Sequence, residues 1–263
     1  EINKRIRDGG KKGSLLWVLD KTVTAMGGRL LSTWLNSPLI GKHQIENRLE
    51  AVEEFKKDIM LKGALRELLK KVYDIERISA KISFGAANAR DLVALKNSII
   101  YLPEIKEKIK GTKAILNKEI FKNMDTLEDV YEVIDKAIVD DPPITITEGG
   151  MIRPEIDAEL FRLKNIGNSG KEWIAKLEVE ERKRTGITNL KVGYNKVFGY
   201  YLEVTKSHIS KVPDTYIRKQ TLTNAERYVT PELKEMEEEI LHAEEKIIKM
   251  EYDIFQLIRR RDF

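Results

Sequence analysis

Two stretches of ~30 residues with helical periodicity flank a segment of roughly 45 residues that reads as β. The first opens at Pro154 and carries Ile156, Leu160, Leu163, Ile166, Trp173 and Leu177 at helical spacing. The second opens at Pro231, with Thr230 as its cap, and repeats Leu233, Met236, Ile240, Ala243, Ile247, Met250, Ile254 and Leu257 at steps of three and four. Between them Leu190, Val192 and Tyr194 alternate, and so do Phe198, Tyr200, Leu202 and Val204, around the turn Asn195-Lys196. A second strand pair, Tyr216–Leu222 and Arg227–Val229, is joined through Thr223-Asn224. A compact insert returns the chain to where it left, so the two helices must run antiparallel. Each would be ~45 Å long, and their apolar stripes can pair as a coiled coil. Gly167 and Gly170 mark a soft spot where the first helix can bend.

The N-terminal half alternates helical runs with short breakers. Helices are predicted after Ser14, over Ala25–Asn36, Lys42–Phe55, Asp58–Leu69, Tyr73–Ile82, Asn88–Ile109 with a restart at Pro103, Lys118–Asn123 and Leu127–Ile138. Trp17, Trp34 and Trp173 read as core anchors. Asp140-Asp141-Pro142-Pro143 ends this half, and Ile144–Thr147 reads as an extended connector or short edge strand. The fold class is therefore mainly α: a helical body at 1–153, arm helices at 154–187 and 231–263, and a small antiparallel β tip at 188–230. The first residue is Glu1 and the last run stops inside a helical pattern, so the chain reads as an excised piece of a longer polypeptide.

Charge is distributed unevenly. The chain carries 47 basic and 43 acidic side chains, a formal +4. Between Asn189 and Tyr228 stand Lys191, Lys196, Lys206, Lys211, Arg218, Lys219 and Arg227 against only Glu203, Asp214 and Glu226. The tip thus holds the whole excess. With Asn195, Ser207, Thr221, Thr223 and Asn224 as neutral donors, such a module suits contact with a phosphate backbone. The plainer alternative is a few surplus lysines that keep a small module soluble. No recognition helix or RNA-type aromatic signature points to base reading. With no cysteine, disulfides, thiolate metal sites and cysteine nucleophiles are excluded. His43, His208 and His242 fall on separate elements, which argues against a metal centre, and no Ser-His-Asp arrangement emerges. Glu235, Glu237, Glu238 and Glu239 read as the wet face of the second arm helix. No apolar run reaches the ~20 residues of a membrane span, so a cytoplasmic protein is expected.

The run Lys191-Val192-Gly193-Tyr194-Asn195-Lys196-Val197-Phe198-Gly199-Tyr200-Tyr201 resembles the clamp of the MutS family of DNA mismatch-recognition proteins. So do Gln220-Thr221-Leu222, Asn224-Ala225-Glu226-Arg227-Tyr228 and Pro231-Glu232-Leu233-Lys234. Near the start, Gly13-Ser14-Leu15-Leu16-Trp17, Leu19-Asp20, Thr24-Ala25-Met26-Gly27 and Arg29-Leu30-Leu31 resemble the opening of that family's core domain. The resemblance runs in order over essentially the whole chain. It implies a helical core, a two-helix lever and a β clamp that holds duplex DNA through its backbone.

By motif position, Asn195 and Lys196 at the first turn, with Lys219 and Asn224 in the second strand pair, are implied phosphate contacts. Arg227 is a further one, unless Glu226 beside it makes a structural ion pair; Lys206 and Arg218 join by charge. Gly193 and Gly199 are implied as structural. Four phosphate contacts would give a log–log salt slope of roughly −3.6. Two family features are absent from this sequence. No Phe is followed two residues later by Glu, as the mismatch wedge requires. Gly167-Asn168-Ser169-Gly170-Lys171 lacks the spacing of a phosphate-binding loop. The resemblance therefore implies no cofactor and no enzymatic activity for this chain. ATP, Mg and a homodimer are implied for the parent, together with a nucleoid-associated, cytoplasmic location. The remaining MutS domains and double-stranded DNA are the implied partners. The alternative is a structural lever without DNA affinity of its own.

Overall fold

The computed structural model describes residues 2–195, 197 and 199–260. It divides into two compact units, one of Glu1–Ile146 with Phe255–Phe263 and one of Thr147–Ile254.

The first unit is helical. α1 (Leu15–Leu19) starts where Ser14 Oγ accepts the Trp17 N–H, and α2 (Ala25–Asn36) where Thr24 Oγ1 accepts the Gly27 N–H. There follow α3 (Lys42–Lys57), α4 (Ile59–Leu69), α5 (Ile75–Ser83), α6 (Ala89–Ile99), α7 (Leu102–Ile109), α8 (Ile115–Asn123) and α9 (Glu128–Ala137). A capping box between Asn88 and Asp91 opens α6. Helices α3, α4, α7 and α8 pack around Leu65, Leu68, Ile105 and Ile109, while α6 packs on α5 and α9. α2 buries no residue; Arg29 ties it to Asp74 at 2.7 Å and Glu76 at 2.6 Å.

The run Asn88–Ile109 restarts as expected, as two helices parted at Ile100-Tyr101, with Pro103 in the first turn of α7. Other expectations change here. The segment after Pro142-Pro143 forms bends and turns, with no strand among the described residues. Its carbonyls are instead satisfied by side chains: Arg90 Nε donates to Pro142 O at 2.8 Å and Asn88 Nδ2 to Ile144 O at 3.4 Å. Trp17 is 46% exposed and so anchors no core among the described residues. Trp34 lies under the Arg48 guanidinium at 3.7 Å.

The second unit contains the arm and the sheet. Pro154 opens a short 3-10 turn, Pro154–Ile156, rather than the long helix. α10 (Ala158–Thr185) begins at Asp157, whose carboxylate accepts the Glu159 and Leu160 N–H groups at 2.9 Å. Its buried positions, Leu160, Leu163, Gly167, Gly170, Ile174, Leu177 and Glu181, step by three and four, the spacing of a coiled-coil seam. α11 (Pro231–Arg259) starts under its Thr230 cap, which accepts the Leu233 N–H at 3.1 Å. The two run antiparallel, with Lys164 paired to Glu251 at 2.7 Å and Lys171 to Glu244 at 3.2 Å. Glu251 is fully buried, and its carboxylate also accepts the Met151 N–H at 2.8 Å and the Ile152 N–H at 3.3 Å. These bonds carry the chain before Pro154 into this unit, which begins at Thr147.

Candidate nucleic-acid interface

Four strands form the sheet at the far end of the sequence insert: β1 (Lys191–Asn195), β2 (Gly199–Thr205), β3 (Ile217–Thr221) and β4 (Ala225–Val229). They pair antiparallel in the order β1-β2-β4-β3. Alternation decides which side chains turn inward: Leu202, Val204, Tyr216 and Tyr228 bury against Ile174, Leu177, Leu233 and Ile240, with Trp173 packed alongside. The first hairpin turns at Gly199, whose φ of +75° suits glycine, and whose Cα faces the Glu237 carboxylate so closely that any side chain would collide. Glu237 is therefore buried, not part of the wet face its neighbours form.

Two buried tyrosine–carboxylate pairs lock the sheet. The Tyr216 hydroxyl donates to Glu181, which also holds Arg184 at 2.7 Å. Burial, then the Glu181 hydrogen bond, pushes the Tyr216 hydroxyl well above its usual range. Burial acts to raise Glu181 as well, but Arg184 and Tyr216 outweigh it and hold the carboxyl below its ordinary value. The Tyr228 hydroxyl donates to Glu226 at 2.5 Å and is pushed up to about 12, by burial first and that bond second. At neutral pH both phenols stay protonated and Glu181 ionised, so these bonds hold the surface cations on a rigid support.

The candidate contacts are not all in one place. Asn195 stands where β1 ends, and its Oδ1 accepts the Val197 N–H at 2.8 Å, while its Nδ2 donates to no acceptor among the described residues. Lys196 lies outside the described residues. Asn224 sits in the opposite turn, and its carbonyl accepts the Lys206 N–H at 3.0 Å, bringing those two residues together. The register pairs Asn195 with Gly199 at one end of β2 and Ala225 with Thr205 at the other. Six residue steps at 3.4 Å separate those ends, roughly 20 Å.

Lys219 occupies a bulge on the outer strand β3, because Arg218 pairs with Tyr228 and Gln220 with the very next residue, Arg227. It is exposed and, among the described residues, enters no ion pair. Arg218 is mostly exposed and reaches Glu226 only at 3.5 Å. Arg227 differs: its guanidinium bonds Glu203 at 2.9 Å and Gln220 at 2.9 Å and covers the Tyr201 ring at 4.1 Å. It is a sheet-internal residue, and its acid partner is Glu203 across the strand pair, not the adjacent Glu226. Sequence reading missed His208 and Asn189, which join Thr205 and Ser207 in a hydrogen-bonded group beside Lys206. Only their composition, not their spacing, could have signalled that.

The Gly167–Lys171 stretch lies inside α10, and a Cβ at Gly170 would stand 2.5 Å from Ile240 Cγ1. No loop there can wrap a phosphate chain, so these residues do not fit ATP. No helix among the described residues is long and apolar enough to cross a membrane.

Residues 1–261 match the family model described as MutS domain III. A protein named DNA mismatch repair protein MutS from Acetivibrio thermocellus is 55% identical over 261 residues, which is 99% of this chain and 30% of that protein. Proteins of the same name from Ruminiclostridium cellulolyticum and Symbiobacterium thermophilum are 54% and 50% identical, each over 99% of this chain and 30% of its own length. The chain thus spans less than a third of the length of these curated relatives.

Proposed function

The chain belongs to the MutS family, and on that premise we propose that it holds duplex DNA by its phosphate backbone, without reading bases. The observation that carries this reading is the edge of the sheet around Lys206, Lys219 and Asn224. There two cations that enter no ion pair among the described residues, an amide and the loosely paired Arg218 project from a module pinned by buried tyrosines. Asn195 and Lys196, at the other end of β2, form a second contact point. The two long helices carry the load from this sheet to the rest of the parent. Mismatch recognition, ATP with Mg, and homodimer formation belong to that parent and rest on the family alone.

Fluorescence anisotropy with labelled homoduplex and G·T-mismatched duplex tests the reading. Binding should be weak, on the order of micromolar or weaker, and equal for the two duplexes. Lys206, Arg218 and Lys219 set a log–log salt slope of roughly −2.7, and Lys196 would bring it to roughly −3.6. Lys206→Glu with Lys219→Glu should cost at least about tenfold at low salt while leaving the circular dichroism unchanged. Unchanged binding would favour a lever with no DNA contact of its own, and a strong mismatch preference would contradict backbone-only contact.

A further inference from the structure

Within the helical unit, a cavity of about 630 Å3 opens between α5, the start of α9 and the last turn of α11. Its walls are mixed: Ile75, Ile82, Leu95 and Leu127 supply an apolar side, Ser79 and Ser83 add hydroxyls, and Phe84 at its rim is 87% exposed. Leu127 enters it from a left-handed backbone, φ 54°, the one described non-glycine residue with positive φ. Arg259 and Arg260 line the same cavity, and no acidic residue does among the described residues.

The Arg259 guanidinium is held in place on two sides: Nη1 donates to Ala87 O at 3.2 Å and Nη2 to Gln256 Oε1 at 2.6 Å. Its Nε is buried and has no acceptor among the described residues. A fixed, desolvated N–H without a partner is unfavourable, and a carboxylate or phosphate oxygen would relieve it. The apolar side of the cavity, with Ile82 and the exposed Phe84, chooses between those two. A nucleic-acid backbone would satisfy the charge and leave Ile82 and Phe84 facing water, whereas a peptide can bring a carboxylate and a large apolar side chain together.

We propose that this cavity seats an acidic–apolar polypeptide segment from the remainder of the parent protein, with its carboxylate on Arg259 and Arg260 and its apolar side chain against Phe84 and Ile82. The source follows from size. The curated relatives extend to more than three times the matched length, since the match covers 30% of them. A shallow site with few contacts cannot hold a free peptide tightly, but a tethered segment needs only millimolar affinity to stay bound. This inference is independent of the DNA reading.

The first test titrates this chain, by NMR, with a short synthetic peptide that places an Asp between Leu and Phe. Binding is expected with a Kd on the order of 0.1–1 mM. Replacing the Asp by Asn, or Arg259→Gln in the chain, should weaken it about tenfold. Phe84→Ala, at a position too exposed to affect folding, should weaken it roughly fivefold. Equal binding of the Asp and Asn peptides, indifference to both variants, or no binding at several times that concentration would overturn the proposal. The second test places benzoylphenylalanine at Phe84 in the full-length parent. Irradiation should link it to an acidic, apolar stretch of the same polypeptide; links only to a different protein, or none, would refute the assigned source.

Discussion

Residues 147–254 bury Leu190, Leu202, Val204 and Leu233 completely in one core shared by two long helices and a sheet. In the other unit, α2 runs for 12 residues without burying one, and Leu49, Val52, Met60 and Phe84 stay largely exposed. The arm-and-sheet unit finds the partners for its apolar stripes within its own sequence. The helical unit has a buried core too, at Leu92, Ile99, Ile134 and Ile138, but α2 adds nothing to it and is held by local devices: its Thr24 cap and the ion pairs of Arg29 with Asp74 and Glu76. Such devices are individually worth little, so α2 is held far less firmly than the arm. Loss of one contact should accordingly be felt differently in the arm and at α2.

The largest difference should come at Glu251. Its buried carboxylate serves Lys164 and the backbone N–H groups of Met151 and Ile152, from two separate stretches of chain. Glu251→Ala leaves the partly buried Lys164 ammonium with the Ile152 carbonyl but no counter-charge, and two buried backbone donors without partners, and should cost about 3–5 kcal/mol in urea unfolding. A cost below about 1 kcal/mol would mean that the arm unit, like α2, rests on contacts of minor worth. Separate transitions for the two units, with only the one containing Thr147–Ile254 shifted, would sharpen the contrast.

What could be read in advance follows the same division. The arm helices and both hairpins were legible because heptad spacing and strict alternation are short-range patterns. Register across strands is not short-range. Arg227 looked committed to neighbouring Glu226, but residue 203 is its true opposite number, and that pairing exists only once β2 and β4 are aligned. For the same reason Asn195 and Asn224, alike as turn residues, could not be seen to lie at opposite ends of one strand. Glu237 was lost among Glu235, Glu238 and Glu239; its seam position between Leu233 and Ile240, and the glycine opposite, distinguish it. In the helical unit, the break at Ile100-Tyr101 carries no Gly, and it was legible through Pro103, which stands in the first turn of the next helix.

The arm's two seam glycines permit a finer test. At Gly170 a Cβ would stand 2.5 and 2.7 Å from the Ile240 side chain, whereas at Gly167 it would meet nothing within 4 Å. Gly170→Ala should therefore overpack the seam and destabilise by about 1–3 kcal/mol. Gly167→Ala removes only the entropic penalty of a helical glycine and should stabilise by about 0.5–1 kcal/mol. Thermal unfolding of the two variants separates them by sign. The same sign for both would mean that the helices adjust freely, and that the self-contained packing of this unit is looser than its close approach implies.

The smallest effect is local and driven by acid. Hydrogen bonds from Arg29, with the Arg77 N–H adding to them, hold the Asp74 carboxyl down at about 2 against an ordinary 3.8. Its contribution is therefore complete above about pH 4 and is lost as pH falls through about 2. Glu159 in the arm is likewise held down to about 2, by Arg162 first and Lys246 second. The charge change is the same in both units, but the consequence should not be. α2 has no buried side chain to retain it once Arg29 loses Asp74, while α10 keeps its seam of Leu160, Leu163, Ile174 and Leu177. Trp34 on α2 and Trp173 on α10 report separately through their indole NMR signals. The Trp34 signal should shift with a midpoint near 2 while that of Trp173 stays in place, because an apolar seam does not titrate. Joint movement of both signals would mean that acid loosens the arm as readily as the helical body. A Trp34 signal fixed down to that pH would mean that contacts other than Asp74 hold α2.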